Sequence, residues 1–182
     1  MISHLPPVLQ LILLIVTVTA GIHDLRSRRI PNWLVMAGLI LGFGMNLFLY
    51  EGPGLRTSLL GMGFALLVYF PLYMLHAMGA GDVKLMAAVG SIIGPGDWFI
   101  LFIITALLGG VCAVLLLVLK GRLGEKMWNV GWMLSEMTHL RAPYQSSEEL
   151  DVKSAKAVRL AHGAVIALGS VVFLIAHAFW AK

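Results

Sequence analysis

The sequence predicts an all-α membrane protein of about six transmembrane or re-entrant helical segments, with an amphipathic helix in one cytoplasmic loop. Three observations predict it. Of 182 residues, 59% are hydrophobic and only 12% charged, and the mean hydropathy is +0.90. Apolar runs close to the ~20 residues needed to cross a bilayer recur along the chain. Lysine and arginine fall almost wholly in alternate loops, as membrane topology requires. Together these features exclude a soluble enzyme and leave one polytopic domain over residues 1–182. The net charge of +4 is distributed as a topology signal, not as a nucleic-acid footprint. The single cysteine, Cys112, lies in an apolar run, so the chain has no disulfide framework and no CxxC metal site. A small buried hydrophobe is its expected role.

The first segment, about residues 7–22, opens on Pro7, a position where the missing N–H would be unpaired in any case. It has no basic n-region and runs into His23-Asp24-Leu25-Arg26 instead of a small-residue cleavage site, so it reads as a retained helix. The basic loop 23–29 follows. Pro31 then forces its predecessor into extended geometry and starts the next helix.

Segment two covers about residues 32–50, with Gly38 and Gly42 forming a small-xxx-small face for close helix approach. After the turn 51–54, segment three covers about residues 55–75, with Pro71 expected to kink its end. Segment four, residues 83–93, is too short to span and reads as a short or re-entrant helix. Residues 94–97 read as a turn, and Trp98 as an interfacial aromatic. Segment five covers about residues 99–119 and the last about residues 160–180. Between them lies a polar region, about residues 120–160. There Met127, Val130, Leu134 and Met137 fall at helical spacing, opposite Glu125, Lys126, Asn129 and Glu136, an amphipathic pattern suited to a membrane surface.

Six segments put Arg26, Arg28, Arg29, Lys84, Lys120, Arg122, Lys126, Arg141, Lys153, Lys156 and Arg159 on one side of the membrane. Only Arg56 and Lys182 fall on the other. The positive-inside rule makes the first side cytoplasmic and both termini external. Asp24 and Asp82 then share the cytoplasmic boundary. Taken singly, Asp82 reads equally well as a helix N-cap, and Asp24 as a juxtamembrane charge. Jointly they suggest more, because no other acid borders these spans on that face, and ionisable residues there are functional sites by default.

Two carboxyls within about 3 Å cannot both ionise and share one proton. Such a pair draws a proton from water attacking a peptide carbonyl, while its protonated member polarises that carbonyl. Neither a metal nor a cofactor is called for. Gly79 and Gly81, lacking Cβ, leave room for a substrate backbone. Lys84 reads as a snorkelling lysine, and His162 and His76 as polar residues at helix ends.

Gly79-Ala80-Gly81-Asp82-Val83-Lys84 resembles the GxGD signature of the membrane aspartyl peptidases. The stretch from Asp24 through Arg26, Arg28, Arg29, Pro31 and Asn32 resembles the first-aspartate motif of their prepilin peptidase branch, and the likeness covers about residues 8–119. The resemblance implies an aspartic-type endopeptidase of the bacterial inner membrane that cuts leader peptides from type IV pilin-like precursors at the cytoplasmic face. It implies Asp24 and Asp82 as the catalytic pair. Gly79, Gly81, Lys84, Arg26, Pro31 and Asn32 would be supporting residues, with precursor peptides and membrane lipid as partners. The chain lacks the paired cysteines and N-terminal region of the larger, N-methylating members, and resembles the short peptidase-only form associated with Flp/Tad pili. Its last segment matches the family's closing motif loosely, with Ala161 and His162 replacing the usual proline and aromatic. Two other classes stay open from the residues alone. One is a small proton-coupled transporter; the other is a non-enzymatic subunit of a pilus or secretion machine.

Overall fold

The computed structural model describes residues 5–75, 78–119 and 161–180. They form four helices, each long and apolar enough to cross a membrane: α1 (Pro7–Ser27), α2 (Asn32–Met74), α3 (Ala80–Leu119) and α4 (His162–Trp180). No strand occurs among the described residues. Against an expectation of six segments, the helices number four, two of them broken. The loop 120–160, its expected amphipathic helix and His76 lie outside the described residues.

Helix α2 breaks at Glu51, whose φ of 54° and ψ of −135° fit no helix. The chain reverses there: the Ser58 hydroxyl donates to Gly42 O at 3.4 Å, and Gly54 packs on the Asn46 carbonyl. Helix α3 breaks at Gly94 (φ 76°). The Trp98 indole then reaches back to donate to Met86 O at 3.1 Å. Both turns expected from the sequence are therefore real reversals, each narrowed to one non-helical residue. Pro53, two residues after the first break, and Pro95, directly after the second, stand at helix starts where a missing N–H costs nothing. Pro71, by contrast, stays within helical backbone angles, and α2 ends at Met74.

The first arm of α3, residues 80–93, is the hub. At ~1.5 Å per residue it rises about 21 Å, short of the ~30 Å hydrocarbon core, as the sequence suggested. Every residue from Leu85 to Gly94 on it is buried. Small residues let its neighbours close in. A Cβ on Gly38 would sit 3.3 Å from the Ala88 Cβ, and one on Gly42 would strike Ser91. These are the two glycines of the expected packing face. On the other side Gly61 meets the Gly90 backbone directly. Carbonyls near the break are capped from α2: Asn46 Nδ2 donates to Ser91 O at 3.2 Å and Ile92 O at 3.0 Å, and Ser58 to Ser91 O at 2.7 Å.

Two expectations fail in the core. Trp98 is fully buried, not interfacial, with Phe64, Tyr69 and Phe102 around it. Its indole N–H is satisfied by the Met86 main-chain carbonyl, so it needs no water. Cys112 is only half-buried, because the second arm of α3 turns much of its surface outward. That outward surface is apolar throughout, with Leu107 67% and Leu119 83% exposed, which suits lipid and not water. Helices α1 and α4 pack antiparallel and are tied at both ends. The Leu5 N–H donates to His177 Nε2 at 3.4 Å at one end, and Asp24 meets the start of α4 at the other.

Candidate active site

Asp24 lies in the last turns of α1, which runs on to Ser27, so the acid is helical and not in the expected loop. The helix stops because Arg28 turns left-handed (φ 53°) and its N–H caps Asp24 O at 2.9 Å. The Asp24 side chain is buried. Its Oδ2 accepts the Gly163 N–H at 2.8 Å. That N–H is in the first turn of α4, one of the donors a helix start leaves without a partner, and the positive end of the helix dipole faces the same oxygen. A Cβ on Gly163 would come within 3.0 Å of the Asp24 Cβ and 3.1 Å of Oδ2, so only glycine lets the backbone approach this closely. Gly21, one turn earlier on α1, fits as tightly against Ala167 and Ala164.

Asp82 is the third residue of α3, within its first turn instead of at its cap. Its N–H bonds Gly79 O at 3.1 Å, and its carboxyl leans back over Gly79, where a Cβ would lie 3.3 Å from Oδ2. Gly81 faces elsewhere: a Cβ there would meet the Ile30 Cβ at 3.3 Å. Thus one glycine of the pair makes room for the acid and the other seats the segment between α1 and α2. The two aspartates lie within electrostatic reach of each other.

The supporting residues divide. Pro31 precedes α2 in extended geometry (φ −65°, ψ 135°) and its carbonyl takes the Leu34 N–H at 3.2 Å. Lys84 Nζ donates to Asn32 Oδ1 at 3.2 Å, an exposed bond that ties the second motif to the first. Arg26 is exposed in the last turn of α1, away from any described contact with the acids. His162 opens α4 and interacts electrostatically with Asp24.

Two residues near the acids escaped the sequence reading. One is Gly163, the residue after His162; nothing local marks it as the donor to an acid 139 positions away. The other is Tyr69, buried on the second arm of α2 and electrostatically coupled to Asp82. A signal for it was present: Thr57, Gly61, Ala65 and Tyr69 recur every four residues, which on a helix is one face.

Valine at Gly163 is expected to push the Asp24 carboxyl off its donor and cut any activity that depends on that acid at least tenfold, the cost of about one charged hydrogen bond. Unchanged activity, with the protein present at the wild-type level in membranes, would show that this contact is dispensable.

Four helices long and apolar enough to cross a membrane thus bring two aspartates to one end of the bundle. The sequence model of the type IV leader peptidase family matches residues 11–114, and the chain belongs to that family. No curated protein and no solved structure matches it. The match spans both aspartates but stops before α4, so the donor to Asp24 comes from outside the matched region.

Proposed function

We propose that this protein is an aspartic endopeptidase that removes leader peptides from type IV pilin-like precursors. The observation that carries the proposal is the pairing of Asp24 and Asp82 from different helices, within electrostatic reach of one another, in a chain of the leader peptidase family. One carboxylate takes a proton from water as the water attacks the scissile carbonyl. The other, protonated, polarises that carbonyl and afterwards passes its proton to the leaving amine.

The arrangement favours a peptidase over a carrier. Both acids lie at helix ends on one side, whereas carrier sites lie near the bilayer midplane. The two reversals at Glu51 and Gly94 support a six-segment topology in which residues 80–93 form the short member. With Arg26, Arg28, Arg29 and Lys84 close in sequence to the two acids, the positive-inside rule favours a cytoplasmic active face and external termini. The proposed activity is peptidase alone, since Cys112 is the one cysteine of the sequence and the paired cysteines of the methylating members have no counterpart in it.

Co-expression with a pilin-like precursor from the same genome tests the proposal. The wild-type chain should convert the precursor to a form shortened at the leader junction, with its new N-terminus unmethylated by mass spectrometry. A precursor left at full length beside well-expressed wild-type protein would overturn the activity; a methylated product would overturn the peptidase-only assignment.

A further inference from the structure

The second arm of α3, residues 95–119, packs antiparallel to α4, and two glycines give the register. A Cβ on Gly109 would lie 3.6 Å from Val165 Cγ1, and one on Gly169 would lie 3.2 Å from the Thr105 Cβ. Four residues back on α3 thus correspond to four residues forward on α4, the spacing of stacked positions on one helix face. The next step pairs Leu101 with Phe173, both buried in the core. The step after that pairs Asp97 with His177. Both of these are buried as well, and they interact electrostatically.

This second ionisable pair stands at the far end of the bundle from Asp24 and Asp82, and the proposed chemistry does not use it. Asp97 Oδ2 is buried with no hydrogen-bond partner among the described residues. The imidazole opposite is what offsets the cost of burying that carboxyl. His177 also holds the start of the chain, since its Nε2 accepts the Leu5 N–H at 3.4 Å. One imidazole therefore stands where α1, α3 and α4 meet.

The surrounding solvent gives such a pair a task. Lipid tails are as apolar as the side chains of α4, so burial alone gives an apolar helix no preferred depth. Residues 171–176 of α4 are all apolar. Polar contacts do select a depth, and buried polar pairs are best attested as devices that fix register between helices. Moving α4 one turn, ~5.4 Å, toward the end that carries Asp97 would set Phe173 against that acid. The same movement would carry the Gly163 N–H away from Asp24, to which it now donates.

We infer that Asp97 and His177 are positioning residues: their pairing across the α3–α4 seam fixes the depth of α4 and so delivers the Gly163 N–H to the Asp24 carboxyl. Their effect on catalysis rests on the aspartic-peptidase reading proposed above; their effect on register does not.

Disulfide cross-linking in membranes reads the register directly, in a full-length chain whose Cys112 is replaced by serine. Gly109→Cys with Val165→Cys marks the register described. Thr105→Cys with Val165→Cys marks the one-turn slip, because side chains a turn out of step are too far apart to bridge. With Asp97 and His177 in place, only the first pair should cross-link. Asp97→Leu/His177→Leu strands no charge, so its thermal midpoint in detergent should stay near that of the parent, yet the second pair should now cross-link too. Without the added cysteines, this double variant should cut a precursor peptide roughly tenfold more slowly, the loss of one charged hydrogen bond, with KM within about twofold of wild type. The exchange Asp97→His/His177→Asp keeps the pairing and an acceptor for the Leu5 N–H, and should restore both the single register and the rate. If the double-leucine chain cross-links only in the described register, packing alone sets the depth and the inference is wrong. A collapsed midpoint in that chain would show a plain stability role and equally overturn it. A slipped register with an unchanged rate would remove the link to Asp24. A parent chain that holds the register but cuts no precursor would instead overturn the peptidase reading, and with it the catalytic half of this role.

Discussion

Membranes carrying the Asp24→Asn or the Asp82→Asn chain are expected to accumulate uncut precursor, with cleavage slowed about a thousandfold in each. Asparagine keeps the shape of aspartate but can neither take nor give the proton that the mechanism moves, and proton transfer by a positioned group is worth roughly 10²–10⁴ in rate. In the Asp24→Asn chain the new amide can turn either its NH₂ or its oxygen toward Gly163 N–H; with the oxygen there, the contact to α4 survives and the fold with it. Because the acids act as one unit, the double variant should be little worse than either single one. Densitometry of precursor and product after co-expression, at matched protein levels, measures all three. Multiplicative losses would indicate two independent groups and contradict the shared-proton mechanism. A single variant retaining wild-type cleavage would remove the aspartic assignment altogether.

The second large effect concerns stability. At Gly61 the α2 backbone lies against the Gly90 carbonyl, with no side chain between them that could move aside. Gly61→Val is expected to drive the two arms apart, at a cost of about 3 kcal/mol or more, the top of the usual range for overpacking. The arms carry Tyr69 and Asp82, so activity should disappear along with the stability. Gly63, two residues on, faces open space, with nothing within 4 Å of an added Cβ. Gly63→Ala should therefore be neutral or slightly stabilising, since alanine is the better helix former. Thermal unfolding in detergent, followed by the aromatic fluorescence around Trp98, compares the two. Equal midpoints would show that the arms do not meet as closely as described.

The chain announces some of this architecture plainly and hides the rest. Gly38 and Gly42 stand four apart in an apolar run, and a local spacing of that kind reads directly as a packing face; the structure seats both against the first arm of α3. Residues 83–93 are too few to cross a bilayer, and that arithmetic alone foretold a short element sheltered by protein. The two aspartates stand out because charge is costly beside hydrocarbon. Trp98 misled because a tryptophan beside a Gly-Pro-Gly turn carries the composition of an interface, while its burial depends on a reversal that brings it back to Met86. Gly163 was illegible for a related reason. Its partner is 139 residues away, and no periodicity within α4 points to it. Tyr69 lies between these cases: its four-residue ladder was written in the sequence, but the ladder's partner on α3 needed the fold.

The bond between Asp24 and Gly163 also puts the site on a clock. The carboxyl is made with the first helix, whereas its N–H donor emerges 139 residues later. At ~5–20 residues per second, a ribosome needs about 7–28 s to supply it. Before that interval ends α1, α2 and α3 can already lie in the membrane with Asp24 unanchored. A chain stopped after α3 is thus expected to carry both acids and cut nothing. Competence arrives with the arrival of α4, so the growing chain meets its neighbours in the membrane before it can cleave them.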